Sequence, residues 1–369
     1  GTVGSGPNEY PVDIAVDPNG NSYVLSYSVG KTSLSIGSQA VTKNFGSYDI
    51  MLASFNCNGQ LRWAKVIGGA REDNGMALQT DRNGGVYFAI ISSMHSGGGT
   101  NTLNFDSDKI LTVPNTQGGK CYKTVFLAKY DTSGNFQWVT APQPDTVGPL
   151  SNTGIVGLDV DNQGVLHCLS VLAPGIYEGN YVVNKQGTYI LKYNSNGTFL
   201  GGVAPDINVT AYSISRSYLK RDNKYNRYLI AGSVEFQGPV YISGKELKGA
   251  KYIAAFDNSG KLLWSKTDTG VANGGITNRP VLDESGNIYI VANTVKDASF
   301  NGYTTGSDKN HQAVMLMKMD KDGEMIWAQN AVTNASTESA GITLRNSGEV
   351  VITGAYPGLL KFDTYGYID

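Results

Sequence analysis

Asp81-Arg-Asn-Gly84-Gly-Val-Tyr87-Phe-Ala is the stretch that decides the fold, because it recurs. It is preceded by Asp17-Pro-Asn-Gly20-Asn-Ser-Tyr23-Val-Leu and followed by Asp161-Asn-Gln-Gly164-Val-Leu-His167-Cys-Leu. Three further copies are Asp222-Asn-Lys-Tyr225-Asn-Arg-Tyr228-Leu-Ile, Asp283-Glu-Ser-Gly286-Asn-Ile-Tyr289-Ile-Val and Arg345-Asn-Ser-Gly348-Glu-Val-Val351-Ile-Thr. The fourth positions (20, 84, 164, 225, 286, 348) are 64, 80, 61, 61 and 62 residues apart. A period of that size gives one small sheet per repeat. Asp opens five of the six turns by bonding its own backbone (Arg345 stands in the sixth), and Gly, except where Tyr225 replaces it, supplies the positive φ that closes them.

Between these turns runs a second element: an apolar strand, an Asx-x-x-Gly turn and a tryptophan four residues after the glycine. It reads Leu52-Ala-Ser-Phe-Asn56-Cys-Asn-Gly59-Gln-Leu-Arg-Trp63 and Leu127-Ala-Lys-Tyr-Asp131-Thr-Ser-Gly134-Asn-Phe-Gln-Trp138. The third copy, around Asn194 and Gly197, has Gly201 where the tryptophan would be. Copies four and five keep it, as Trp264 and Trp327. The sixth reads Leu360-Lys-Phe-Asp363-Thr-Tyr-Gly366-Tyr-Ile-Asp369. Short segments rich in Val, Ile, Leu, Tyr and Phe, bounded by Gly, Asn and Ser, are strands. No capped 3.6-residue apolar period exists, so almost no helix is expected.

Each unit therefore supplies four antiparallel strands, and such sheets repeated radially make a β-propeller. The expectation is an all-β, single-domain, six-bladed propeller over residues 1–369. Its repeats run roughly 8–67, 71–142, 151–203, 207–267, 272–330, and 337–369 with 1–7. Inner strands are predicted near 12–16, 76–80, 156–160, 212–216, 278–282 and 340–344. Aligning Gly366 with Gly59 makes Leu360–Asp369 the third and fourth strands of the last blade, which the N-terminal segment would help close. The alternative is a fragment of a longer array.

A formal net charge of −2 with 16% charged residues gives no electrostatic case for nucleic acid. No apolar run approaches the ~18 residues of a spanning helix. The 46 Gly and 22 Tyr fit exposed hairpins and an exported protein. The expected location is extracytoplasmic (secreted, periplasmic or outer-surface), with a lipid anchor on a precursor compatible with the sequence. A monomer is expected.

The string from Tyr48 through Gly59, Trp63, Gly68-Gly69 and Asp73-Asn-Gly75 to Asp81, Gly84 and Tyr87 resembles the SBBP-type bacterial β-propeller repeat. The likeness is best in copies one, two and five, and weaker in three (no Trp) and four (Tyr225 for Gly). It implies a propeller fold, an exported or surface-attached bacterial protein, and no catalytic residues.

Candidate chemistry is thin. The Asp-x-x-Gly-x-x-x-Trp element also resembles the docking repeat of quinoprotein propellers and of the outer-membrane assembly propeller, where the Trp clamps adjacent blades. No axial ligands for a quinone are found, so no cofactor is expected. Trp63, Trp138, Trp264 and Trp327 are read as inter-blade packing, with Trp→Ala losses of about 3–5 kcal/mol as for buried aromatics. Asp320-Lys-Asp322-Gly323 has a calcium-loop flavour but lacks the distal ligands, and it repeats as a hairpin turn elsewhere. His167 replaces the repeat tyrosine and is read as core, whereas His95 and His311 fall in variable segments without zinc spacing. Cys168 is a core residue, Cys57 lies in a turn and Cys121 in a long loop, which is no disulfide framework. Asp13 and Asp159 fall on inner strands and are read as solvated channel-lining residues. No nucleophile elbow or carboxylate constellation is present.

The function expected is a non-catalytic binding or scaffold module presenting its loops to a protein or glycan partner. The alternative is a degenerate propeller enzyme of polysaccharide lyase or glycoside hydrolase type. The longest insert, Ser92 to Lys123, carries Leu103-Asn-Phe105 and Ile110-Leu-Thr-Val113, which resemble an extra hairpin. Replacing 96–119 by a short turn is expected to leave the fold intact.

Overall fold

A computed structural model describes residues 9–29, 34–36, 39–41, 45–46, 48–70, 72–94, 101–106, 108–113, 122–142, 154–209, 217–234, 239–249, 251–268, 275–294, 299–304, 313–333, 338–345, 348–355, 360–362 and 367–368. These residues form strands and turns, with no helix among them. Repeats one to five each give an antiparallel four-stranded arrangement paired in chain order. Repeat one uses Glu9–Val16, Ser22–Val29, Tyr48–Phe55 and Leu61–Gly69. Repeat two uses Asp73–Thr80, Val86–Met94, Tyr122–Tyr130 and Phe136–Thr140. The chain divides into two compact units, Gly1–Gln186 with Leu191–Gly202, and Gly187–Ile190 with Val203–Asp369.

The Asx turns fold as their chemistry requires. In repeat two, the Asp81 N–H donates to the Gly85 carbonyl and the Gly84 N–H returns to the Asp81 carbonyl. Gly84 sits at φ 82°, a value costly for any residue with a Cβ. Asp81 Oδ1 accepts the N–H groups of Asn83 (2.8 Å) and Gly85 (2.7 Å). Its other oxygen accepts the Tyr87 hydroxyl at 2.8 Å, which explains the tyrosine six residues after the aspartate. The same bond joins Tyr23 to Asp17 and Tyr289 to Asp283. In repeat three His167 takes the hydroxyl's place, with Nε2 3.1 Å from Asp161 Oδ2. It is buried, as expected.

The tryptophans join successive repeats. Trp63 donates its indole N–H to the Thr132 carbonyl of repeat two at 2.8 Å. Trp138 does the same to Ser195 of repeat three at 3.0 Å. A Cβ on Gly134, Gly197 or Gly323 would stand 2.7, 2.8 and 2.8 Å from Trp63, Trp138 and Trp264 respectively. Each of these three indoles thus lies on the turn glycine of the next repeat. Repeat three has Gly201 in place of the tryptophan; just after it, within the second unit, the Asp206 N–H donates to the Gly260 carbonyl at 2.8 Å. All four indoles are half-buried, so the loss expected of a fully buried aromatic overstates their weight.

Repeat four departs in register. Elsewhere the turn Tyr or His faces the residue two before the aspartate, as Tyr87 faces Gln79 and His167 faces Asp159. Here Tyr228 faces Arg221, one residue before Asp222. Tyr225 cannot take the glycine conformation, and Asn226 adopts positive φ (48°) instead. The one-residue slip exchanges the faces of the first strand. Asp222 then accepts a hydrogen bond from Arg227 Nε at 2.8 Å in place of the tyrosine hydroxyl. The described first strand is Ser217–Asp222; the segment 212–216 predicted for it lies outside the described residues.

Each of repeats one to five also carries a hairpin between its second and third strands: Leu34–Ile36 with Gln39–Val41, Asn101–Asp106 with Lys109–Val113, Gly175–Tyr177 with Tyr181–Val183, Tyr241–Ile242 with Lys245–Glu246, and Ser299–Phe300 with Tyr303–Thr304. Three of them turn on a pair of positive-φ residues, Glu178-Gly179, Ser243-Gly244 and Asn301-Gly302, the tight turn that matches strand twist. The hairpin of repeat two pairs with the fourth strand of repeat one, Asn104 to Gly68 and Leu103 to Gly69. Phe300 of repeat five bridges to Asp268 of repeat four.

This recurrence corrects the reading of the C-terminal segment. Leu360–Phe362 pairs not with the second strand of repeat six, Val350–Ala355, but with Ala331–Thr333 of repeat five. That is the position the hairpins of repeats two and five hold on the repeat before them. Leu360-Lys-Phe362 therefore corresponds to Leu103-Asn-Phe105, not to a third strand. Glu338–Leu344 and Val350–Ala355 form a two-stranded sheet.

The insert of repeat two is also no dispensable excursion. Leu103 and Phe105 are buried to 1% exposure in the core shared with Tyr23, Ile67 and Phe126. Phe105 packs against Phe126 and Phe136, and the Tyr130 hydroxyl donates to its carbonyl. Replacing 96–119 would empty that part of the core.

Candidate functional site

Apolar alternation on the hairpins separates a fold-facing side from a solvent-facing one. Phe105, Tyr177, Ile242 and Phe300 point inward and are buried. Ile110 (58% exposed), Ile176 (39%), Val182 (58%) and Tyr303 (40%) point outward. Ile176 and Val182 are cross-strand partners, so the repeat-three hairpin shows a paired apolar face. Outside the hairpins the exposed large apolar residues among those described are Leu200, Leu263 and Ile326, each one residue before the tryptophan position, Ile14 and Val16 on the first strand of repeat one, and Tyr225 in the turn of repeat four. They belong to the repeat itself, whereas the hairpins differ in length and residue from one repeat to the next.

At the root of the first two hairpins stand two buried acids. Asp49 is the second residue of the third strand of repeat one and Asp73 the first residue of the first strand of repeat two; they are 2% and 0% exposed. Asp49 Oδ2 accepts the N–H groups of Phe45 (2.9 Å) and Gly46 (3.4 Å). Asp73 Oδ2 accepts that of Gly69 at 2.7 Å. Burial pushes both carboxyls above the usual range. For Asp73 the result is about 7, the Asp49 charge adding to burial against hydrogen bonds from Ser92 and Gly69. Comparing the repeats does not reveal the pair, because its members come from different repeats and from positions that do not recur.

A second polar pair is buried in repeat four. Lys251 Nζ lies 3.2 Å from Asp268 Oδ2, with both side chains at most 2% exposed. Repeat one places Ile50 opposite Ile67 at the same positions, and repeat five Val314 opposite Ala331.

The residues singled out in the sequence do not gather. Asp13 Oδ2 accepts the Leu78 N–H at 2.9 Å, and Asp159 Oδ1 accepts from Gln79 Nε2 at 2.8 Å. These bonds tie neighbouring first strands together. Asp159 is 1% exposed and is not a solvated channel residue. Asp320 caps its own turn, accepting from Asp322 and Glu324. Cys57 is exposed and Cys168 buried, where burial pushes the thiol up. His95, His311 and Cys121 lie outside the described residues. Among the described residues no group of three or more His, Cys, Asp or Glu is placed to hold a metal, and no helix is long and apolar enough to cross a membrane.

No family model matches the chain, and no curated protein sequence is similar to it. Among solved structures, it is similar to a family PL25 polysaccharide lyase, an ulvan lyase (TM-score 0.45, 13% identity, covering 95% of this chain and 78% of that one). It is also similar to a DUF4623 family protein of Bacteroides eggerthii (TM-score 0.41, 12% identity, 92% and 66%). A third similarity is to a protein of unknown function from Bacteroides caccae (TM-score 0.33, 11% identity, 76% and 89%). At these scores and identities none of them transfers an activity.

Proposed function

We propose that the chain is a non-catalytic binding or scaffold module of an exported bacterial protein, whose insert hairpins meet a protein or glycan partner. The observation that carries this reading is the two-sided build of the hairpins. Their inner residues are fixed in the core, and their outer residues offer apolar surface that the repeats themselves do not require. Variable connections on a constrained scaffold are where recognition is free to differ. The reading takes the six repeats as blades of a propeller of the SBBP type, on the strength of the shared turns and tryptophans. An extracytoplasmic location follows from that resemblance and from the Gly- and Tyr-rich composition.

A second reading, a propeller enzyme acting on polysaccharide, draws on the Asp49–Asp73 pair, since a carboxyl near neutrality suits a general acid. Its burial argues against contact with a polymer. A glycan array combined with a polysaccharide-cleavage screen separates the two. Binding weakened by Ile176→Ser with Val182→Ser, without turnover, supports the module. Turnover abolished by Asp73→Asn would replace it with the enzyme.

A further inference from the structure

Asp49 Oδ1 and Asp73 Oδ1 are shielded from solvent and accept no hydrogen bond. Buried carboxylate oxygens are rarely left so. Their companion oxygens are held by the N–H groups of Phe45, Gly46 and Gly69, which fixes both carboxylates in place. Between the two acids lies Gly68. A Cβ there would stand 2.1 Å from Asp49 Oδ1 and 3.1 Å from Asp73 Oδ2, so the lack of a side chain is what lets the two carboxylates close on the same point of the backbone. Among the described residues no Lys, Arg or His pairs with either acid.

We propose that Asp49 and Asp73 together hold one hard divalent cation of the calcium type at the junction of repeats one and two. Two carboxylates match its charge, and carbonyl oxygens and water complete an oxygen-only shell of six to eight ligands. Zinc is disfavoured by the lack of nitrogen or sulfur donors, and magnesium by its demand for a largely hydrated octahedron. The ion ties the roots of two hairpins. Asp49 ends the first insert, Ser92 starts the second, and Asn104 of the second hairpin donates to the Gly68 carbonyl at 3.1 Å. The inference does not depend on what the hairpins bind.

The test uses the whole chain stripped with a chelator. Equilibrium dialysis against calcium alone is expected to give one tightly held ion per chain. Millimolar calcium should raise the melting temperature by several degrees, and magnesium less. Asp49→Asn, Asp73→Asn and Gly68→Ala should each abolish the bound ion and the shift. No ion bound to the folded wild-type chain overturns the proposal, and that measurement needs no variant to fold. An ion retained in both Asn variants also overturns it.

Discussion

The indole of Trp63 lies against Gly134, so closely that a Cβ on the glycine would stand 2.7 Å from the ring. One residue thus needs glycine twice, for its positive φ of 80° and for the neighbour it carries. Gly59 occupies the same turn in repeat one at φ 73°, with nothing within 4 Å of its would-be Cβ. Gly59→Ala should cost about 1–2 kcal/mol for backbone strain alone. Gly134→Ala should cost a further ~1–3 kcal/mol for overpacking. Equal losses in urea denaturation would mean that the indole does not press on the turn.

Trp63→Ala should destabilise by roughly 2–3 kcal/mol, below the 3–5 of a fully buried aromatic, because the ring is half-buried. Fluorescence-monitored unfolding measures it. A loss near zero would remove the tryptophans from the account of how repeats join.

Tyr87→Phe removes the hydroxyl that Asp81 accepts and should cost about 1.5–3 kcal/mol, as bonds to charged groups do. His167→Phe should cost a similar amount. His167→Tyr restores the repeat residue and should be tolerated within about 1 kcal/mol. A His167→Tyr loss as large as the Phe loss would show that the imidazole has a role beyond capping Asp161.

Replacing Lys251 alone by Met strands a buried carboxylate at Asp268 and should cost about 3–5 kcal/mol. The double change Lys251→Ile with Asp268→Ile recreates the Ile50–Ile67 pair of repeat one. It should be neutral or stabilising by about 1–4 kcal/mol. A double variant as unstable as the single one would point to a functional ion pair.

The turn aspartates set the response to acid. Burial alone would raise Asp17, Asp131, Asp161 and Asp283, but hydrogen bonds from the turn outweigh it and leave each below its ordinary value. A folded pKa below the unfolded one stabilises above the unfolded value, roughly 3.9, and that stability is lost as pH falls through the folded value. Melting temperature should therefore drop below about pH 4, and Asp161→Asn should flatten the drop. An unchanged slope in that variant would contradict the role given to the turns.

The strands, Asx turns and inter-repeat tryptophans were legible because each depends on one residue type at a fixed spacing. The turns need Asp and Gly, the cap needs Tyr87 or its counterparts, and the indole needs a facing glycine. The hairpins were not legible as a repeat. Their buried residue is Phe105 in one copy, Tyr177 in another and Ile242 in a third, and only the tight turns such as Asn301-Gly302 carried a signal. Leu360–Phe362 is a case of the same kind: the Asp363–Gly366 spacing resembles the second turn, yet Phe362 pairs with Ala331. Asp49, Asp73 and Lys251 could not be found by comparing repeats, since each stands where the other repeats have something else.

The two-sided hairpin is the centre of the account, and Phe105 against Ile110 tests it most directly. Phe105→Ser and Ile110→Ser should be compared by chemical denaturation of the whole chain. Phe105→Ser is expected to lose about 3–5 kcal/mol, as removal of a buried aromatic does. Ile110→Ser should stay within about 0.5 kcal/mol, as surface changes do. Equal losses, or a harmless Phe105→Ser, would contradict a hairpin with one face in the core and the other open to a partner.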